Sequence, residues 1–237
     1  GPPGSGKTLL SKSLTTILPS MNLDDALAVT KIYSVAGMVK SKNPLISSRP
    51  FRSPHHTASA ASIIGGGRVP RPGEVSLAHR GVLFLDELPE FQRQVLESLR
   101  QPLEEREVTI ARVSGSMTFP ANFMLIAALN PCPCGYYSDP DHECTCTPSQ
   151  IIRYRKKISG PLLDRIDIHI EVPRLKTEII LKKAEGEPSD LIKTRVKKTL
   201  EKQHQRFKGL TIKNNPEIPA RDMEKFCPLD KKGKQLI

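Results

Sequence analysis

The sequence has no tryptophan, and its 7 phenylalanines and 4 tyrosines leave it at 5% aromatic. It also has no stretch near the roughly 18 consecutive apolar residues of a membrane span, which excludes a transmembrane helix of ordinary length. Apolar residues make up 38% of 237 positions, enough for one sizeable α/β core with a small second domain. The expectation is a soluble cytoplasmic protein with no membrane partner.

Charge of both signs is plentiful but unevenly spread. Residues 1–150 carry 14 Lys/Arg against 13 Asp/Glu, whereas 151–237 carry 22 against 12, and the whole chain stands at +11. A basic last third favours a polyanionic partner, nucleic acid before membrane, although Lys-rich helices also occur as plain solvated faces.

The stretch that organises the rest is Gly1-Pro2-Pro3-Gly4-Ser5-Gly6-Lys7-Thr8, which matches G-x-x-x-x-G-K-[ST] at every position. In such a loop backbone N–H groups turn inward onto a β-phosphate, Lys7 brings a charge to the β/γ oxygens, and the Thr8 hydroxyl is a Mg²⁺ ligand. A helix must begin directly behind it, so Gly1 to Thr8 with Leu9 form the expected nucleotide-binding set. Leu10, Leu14, Ile17 and Leu18 repeat at helical spacing until Pro19. A loop of this kind follows a buried strand, and neither a strand nor an initiator Met precedes Gly1; the expectation is a fragment of a longer protein.

A second helix is predicted from Asn22 or Asp24 to Tyr33. Residues 34–72, punctuated by Pro and Gly, read as an insertion carrying short strands or a hairpin. Within it His55 and His56 either touch phosphate or bond inside the loop. Gly81-Val82-Leu83-Phe84-Leu85-Asp86-Glu87 has the form of a buried parallel strand ending in two carboxylates at a ligand crevice. Asp86 suits a Mg²⁺ ligand and Glu87 the base that polarises a water. One amphipathic helix is predicted from Pro89 to Leu103. A hairpin follows over Glu107 to Phe119, turning at Ser114-Gly115, and then a strand over Phe123 to Leu129, buried on both faces, that delivers Asn130 to the same sheet edge.

Cys132-Pro133-Cys134 and Cys144-Thr145-Cys146 bracket a nine-residue loop and suit a tetrahedral zinc site, with free thiols or a redox pair as the alternative and His142 as a substitute ligand. Gln150 to Ile158 reads as a basic helix and Ile166 to Val172 as an alternating strand closed by Pro173, after which a domain boundary is expected. Ser189 is predicted to cap a helix with Ile192, Val196, Leu200 and Phe207 along one stripe.

These blocks in this order resemble the AAA+ ATPases of the helix-2-insert group. Arg49 to Thr57, Pro70 to Gly81 and Asn130 to Gly135 make the sequence similar to the ComM/YifB family, often labelled magnesium chelatase-like, over essentially its whole length. The resemblance implies an α/β AAA+ P-loop NTPase: a parallel sheet flanked by helices, with a helix-2 insert and a pre-sensor 1 hairpin at Glu107 to Pro120, spanning residues 1–173. A partial helical lid would follow over 174–237, and the Cys-rich insert lies at about 131–148. It implies Walker A at Gly1 to Thr8, Walker B at Asp86 and Glu87, sensor 1 at Asn130, and an arginine finger at Arg165 acting on a neighbouring subunit's ATP. ATP and Mg²⁺ are the implied cofactors. Hexameric motors of this family migrate branched DNA in recombination during natural transformation and carry a Lon-protease-like domain ahead of the ATPase. The first core strand, that domain and the sensor 2 arginine are not in this sequence, so weak hydrolysis is expected of the piece itself. The motor subunit of a magnesium-porphyrin chelatase and a protein remodeller are the rival readings on the same fold.

Overall fold

In a computed structural model, residues 1–39, 44–112, 115–137, 139–175, 186–212 and 214–236 are described. Behind the glycine-rich loop the chain enters α1 (Lys7–Ile17) and then α2 (Leu23–Val35), whose cap Asn22 accepts a hydrogen bond from the Asp25 N–H at 2.8 Å. The Pro/Gly-rich stretch contributes β1 (Phe51–Arg52), α3 (Ala60–Ile64), the small hairpin β2 (Gly65–Gly66) and β3 (Arg71–Pro72), and α4 (Glu74–Leu77). Next come β4 (Val82–Leu85), α5 (Arg93–Ser98), α6 (Arg100–Glu105), the antiparallel pair β5 (Glu107–Arg112) and β6 (Gly115–Pro120), and β7 (Met124–Ala127). Two further helices, α7 (Pro148–Arg155) and α8 (Gly160–Leu163), complete the first part of the chain.

The sheet that matters is three-stranded and parallel, in the order β1-β4-β7, with Val82 opposite both Phe51 and Met124 and Leu85 opposite Ala127. An uninterrupted apolar run can only sit in the middle of such a layer, and all four residues of β4 are fully buried. Leu83 and Leu85 pack with Val95, Leu96 and Leu99 from the helices behind and with Val108, Ile110 and Phe119 from the hairpin. Because the strands are parallel, β4 and β7 deliver Asp86 and Asn130 to one edge.

The insertion holds both the short strands and the hairpin expected of it, and one of those strands, β1, joins the main sheet. Several other expectations are corrected. The single helix over Pro89 to Leu103 is instead a 3₁₀ turn at Leu88–Glu90 followed by α5 and α6. Pro102 has no N–H for the Ser98 carbonyl and its ring crowds that oxygen, so the helix breaks there. β7 is not buried on both faces: Met124 is 47% exposed, because β7 is the outer strand of the described sheet. Ile166 to Val172 forms no strand and joins no ladder among the described residues, and Ile168 and Ile170 stand 77% and 70% exposed. Alternation sets the two faces of a strand but does not supply its neighbour. Residues 113 and 114 of the hairpin turn, and 176–185 beyond the expected boundary, lie outside the described residues.

The chain divides into two compact units, 1–15 with 20–185, and 16–19 with 186–237. The second is built on α9 (Ser189–Arg206), followed by α10 (Met223–Phe226) and α11 (Lys231–Leu236). Its cap is Pro188 rather than Ser189, whose hydroxyl instead accepts a hydrogen bond from Thr16. Among its described residues Phe207 and Ile218 are the buried apolar ones, and Phe207 meets Phe226 edge to face at 5.3 Å between centroids. Among the described residues, no helix is long and apolar enough to cross a membrane.

Candidate nucleotide site

The glycine-rich loop takes its shape from two positions where a side chain would be strained, Gly4 at φ +74° and Gly6 at φ +83°, both facing open space. The α1 ladder begins with the Leu10 N–H on the Gly6 carbonyl at 2.9 Å. The N–H groups of Lys7, Thr8 and Leu9 therefore have no helical acceptor and sit at the positive end of the helix dipole. An anion would meet them there.

The Lys7 ammonium lies over the loop, donating to the Gly1 carbonyl at 2.9 Å, the Pro2 carbonyl at 2.7 Å and the Asn130 side-chain oxygen at 3.1 Å. Burial lowers its pKa, and the nearby Asp86 carboxylate opposes that shift. The Thr8 hydroxyl donates to Asp86 Oδ2 at 2.6 Å. Three separate stretches, loop, β4 end and β7 end, thus converge within hydrogen-bonding reach. A hydroxyl and a carboxylate in contact form the oxygen-rich set that Mg²⁺ takes alongside phosphate oxygens, so Thr8 and Asp86 fit that ion.

Glu87, next after Asp86, has a left-handed backbone at φ 53° and an exposed side chain whose Oε2 lies 3.2 Å from His56 Nδ1. The His55 ring is 4.1 Å from that of His56, and Phe91 meets His56 edge to face. Of the two openings for the histidine pair, His55 takes the second, its Nδ1 lying 2.9 Å from the Thr57 hydroxyl within the loop, while His56 takes neither and faces a carboxylate. Arg165 does not join the Lys7 group. It follows α8, where it donates to the Pro161 carbonyl at 2.8 Å and pairs with Glu104.

Cys132, Cys134, Cys144 and Cys146 come together with their sulfurs all within 4.8 Å of one another. His142 is not part of that group; its ring stacks on Tyr136 at 4.9 Å and faces Asp139. The Tyr136 N–H directed at Cys134 draws that thiol down to about 5. Sequence reasoning missed His56 as the partner of Glu87, Glu104 as the partner of Arg165, and the pair formed by Arg174 and Asp139. Each joins residues far apart in the chain with no local pattern to announce it.

A parallel sheet with a glycine-rich loop, a lysine and threonine behind it, and an aspartate and an asparagine at the strand ends defines an AAA+ P-loop ATPase domain. The family described as magnesium chelatase, subunit ChlI, matches residues 1–180. The uncharacterised protein YifB of Salmonella typhimurium is 44% identical over 230 residues, 97% of this chain and 44% of its own. The competence protein ComM of Haemophilus influenzae is 43% identical over 235 residues, 98% of this chain and again 44% of its own. The magnesium-chelatase 67 kDa subunit of Chlorobaculum tepidum shares 26% over 130 residues, 54% of this chain and 18% of its own. The chain belongs to the magnesium chelatase-like ComM/YifB family, and it spans less than half the length of the YifB and ComM relatives it matches.

Proposed function

We propose that this chain is the ATP-binding and ATP-hydrolysing core of a hexameric ring that drives branched or single-stranded DNA, as a branch-migration motor in recombination and natural transformation in the cytoplasm. The observation that carries the reading is the convergence of Lys7, Thr8, Asp86 and Asn130 at one sheet edge. The loop from Gly1 to Leu9 wraps the phosphates with its N–H groups, and Lys7 exchanges its contacts with the Gly1 and Pro2 carbonyls for β/γ oxygens. Mg²⁺, held through Thr8 and Asp86, would supply charge neutralisation at those oxygens. Glu87 leaves His56 to take a proton from the attacking water, and Asn130 orients that water. Arg165 of a neighbouring copy gives up Glu104 and stabilises the charge of the departing phosphoryl group, which makes turnover depend on ring assembly. The expected division, a core over 1–173 and a partial lid over 174–237, belongs to the same reading.

DNA as the partner rests on the surplus of cations in 151–237 and on the likeness to a competence protein over 98% of the chain. The test is ATPase activity of the whole protein with and without forked or four-way DNA at rising salt. Stimulation by branched DNA that weakens steeply with salt is expected. ATPase activity indifferent to every DNA would remove DNA from the reading while leaving the ATPase. The second reading, a chelatase motor, is favoured by the description of the matching family; it predicts stimulation by a porphyrin-chelating partner instead.

A further inference from the structure

We infer that Cys132, Cys134, Cys144 and Cys146 bind one zinc-class ion, and that this knot fixes the position of Asn130 and the phosphate loop, so that metal occupancy sets nucleotide affinity. The second half rests on the nucleotide reading above; the metal site stands on its own geometry.

The sulfurs of Cys132 and Cys134 are 3.4 Å apart, those of Cys132 and Cys144 3.7 Å, and those of Cys134 and Cys144 3.6 Å. A disulfide needs about 2.05 Å, whereas four thiolates about 2.3 Å from one tetrahedral ion lie close to 3.8 Å from each other. The backbone supports thiolate charge as well. The Tyr137 N–H points at Cys132 Sγ at 3.3 Å and the Cys134 N–H at Cys146 Sγ at 3.4 Å, the kind of outer contact that holds metal-bound sulfur. Among the described residues from 131 to 147 there is no helix or strand, so the loop has no backbone ladder and is ordered by side-chain contacts, of which the sulfur knot is the central one.

The knot touches the nucleotide site by three routes. Only Pro131 separates Cys132 from Asn130, whose side chain receives Lys7, and the Pro131 carbonyl accepts from Arg155 Nε at 3.4 Å. Gly135, at φ +87°, lies against Pro3 of the loop so closely that a Cβ there would come within 2.5 Å of its ring. Asp139, with its side chain fully buried, accepts from the Asp141 and His142 N–H groups at 2.9 and 3.1 Å and faces Arg174 Nε at 3.5 Å. The Arg174 guanidinium in turn reaches the Pro3 carbonyl at 3.5 Å. On the far side, Cys146 runs directly into Thr147, which caps α7 in a reciprocal box with Gln150. An ion in the knot thus ties the end of β7 to the start of α7 with the phosphate loop resting on it.

The experiment uses the whole protein, reduced, and reads metal and nucleotide separately. Metal is counted by elemental analysis and by the thiolate-to-cobalt charge-transfer band after Co²⁺ replacement; nucleotide affinity is measured with a fluorescent ATP analogue. One ion per chain is expected, lost in Cys144→Ser, and stripping with a chelator should weaken nucleotide binding at least tenfold, with zinc restoring it. Gly135→Ala should keep its ion, shown by the cobalt band, yet bind nucleotide several-fold more weakly. This variant guards against a stripped protein that merely unfolds. A protein that takes up no ion, or that keeps one after loss of two cysteines, overturns the site. Unchanged affinity in both the stripped protein and Gly135→Ala overturns the coupling. Should the metal-loaded protein bind no nucleotide at all, the nucleotide reading fails and the coupling with it, while the ion count still decides the site.

Discussion

The sheet unit and the C-terminal unit differ in what orders them. In the first, β4 is sealed on both faces and sixteen buried side chains form one continuous cluster. In the second, α9 buries none of its 18 residues, and its order rests on a narrow stripe of Ile192, Val196 and Leu200 leading to the buried Phe207. The difference starts in the residues: β4 is apolar at every position, while α9 carries Lys193, Arg195, Lys197, Lys198, Lys202 and Arg206 around four apolar side chains. A unit packed on all sides can hold reacting groups to within tenths of an ångström, which the convergence on Lys7 demands. A unit clothed in cations has an exposed surface that the proposed reading gives to DNA, and that division of labour can be tested from the strongest effect downward.

The largest effect expected is chemical and confined to the first unit. Glu87→Gln should lower ATP turnover by roughly 10²–10⁴-fold, the range for removing a general base, while nucleotide stays bound and thermal stability is unchanged. Steady-state ATPase beside a fluorescent-nucleotide titration measures both. A variant that still turns over removes Glu87 as the base. Arg165→Ala should likewise spare nucleotide binding and stop turnover in the whole protein, and normal hydrolysis would take Arg165 out of the site.

Packing comes next. Leu83→Ala opens a cavity in the middle of the sheet and should cost about 2–5 kcal/mol, whereas Leu191→Ala, at a residue 57% exposed on α9, should stay within about 0.5 kcal/mol. Urea midpoints at constant slope separate the two. Comparable losses would mean that α9 is held by more than its stripe.

Acid should act on the packed unit through His79. Burial, with the Arg80 charge beside it, pushes this imidazole down to about 4, and its Nδ1 accepts the Asn122 N–H at 3.1 Å, which only the neutral ring can do. Unfolded, the same ring takes a proton near 6.5, so between those values the unfolded chain binds more protons than the folded one. Stability from this group is whole above about pH 6.5 and falls as pH drops toward 4, by about 3 kcal/mol across the window. NMR titration of the His79 ring checks it: a midpoint near 6.5 in the folded protein would show a solvated histidine.

Much of the fold could be seen before any coordinates, and the reason is locality. Eight consecutive residues state the phosphate loop, four apolar residues before Asp86 state a sealed strand, and the period-two stretch from Glu107 to Arg112 states a hairpin arm. The two C-x-C pairs announced thiols near each other, although their closure into one group depends on the path of the loop between them. What stayed hidden depends on neighbours. β1 is two residues long and has no period to detect, yet its register beside β4 is what sets His56 against Glu87. Ile166 to Val172 alternates as a strand should, but alternation is silent on whether another strand lies alongside. Pro102 was visible, and its power to break the helix four residues upstream was outweighed in the apolar pattern by Leu99 and Leu103 on the same face.

The smallest change in stability is expected where the comparison is sharpest. Replacing Lys193, Lys197, Lys198 and Lys202 together by alanine removes four exposed cations from α9 and, among the described residues, one ion pair, that of Lys197 with Glu201 at 4.0 Å, between side chains 71% and 57% exposed. Such a pair contributes little, and alanine is at least as good a helix former as lysine, so the unfolding midpoint should move by no more than about 0.5 kcal/mol. If α9 is the face that meets DNA, every phosphate deprived of its lysine lowers the slope of log affinity against log salt by roughly 0.7–0.9, and the weakening is the same for every sequence tested. Binding measured at several salt concentrations on unrelated single-stranded and forked DNAs reads that slope directly. A slope that does not change would make these lysines a solvated face and move the DNA-binding surface elsewhere, for instance to the β5–β6 hairpin, whose far arm is exposed from Gly115 to Thr118.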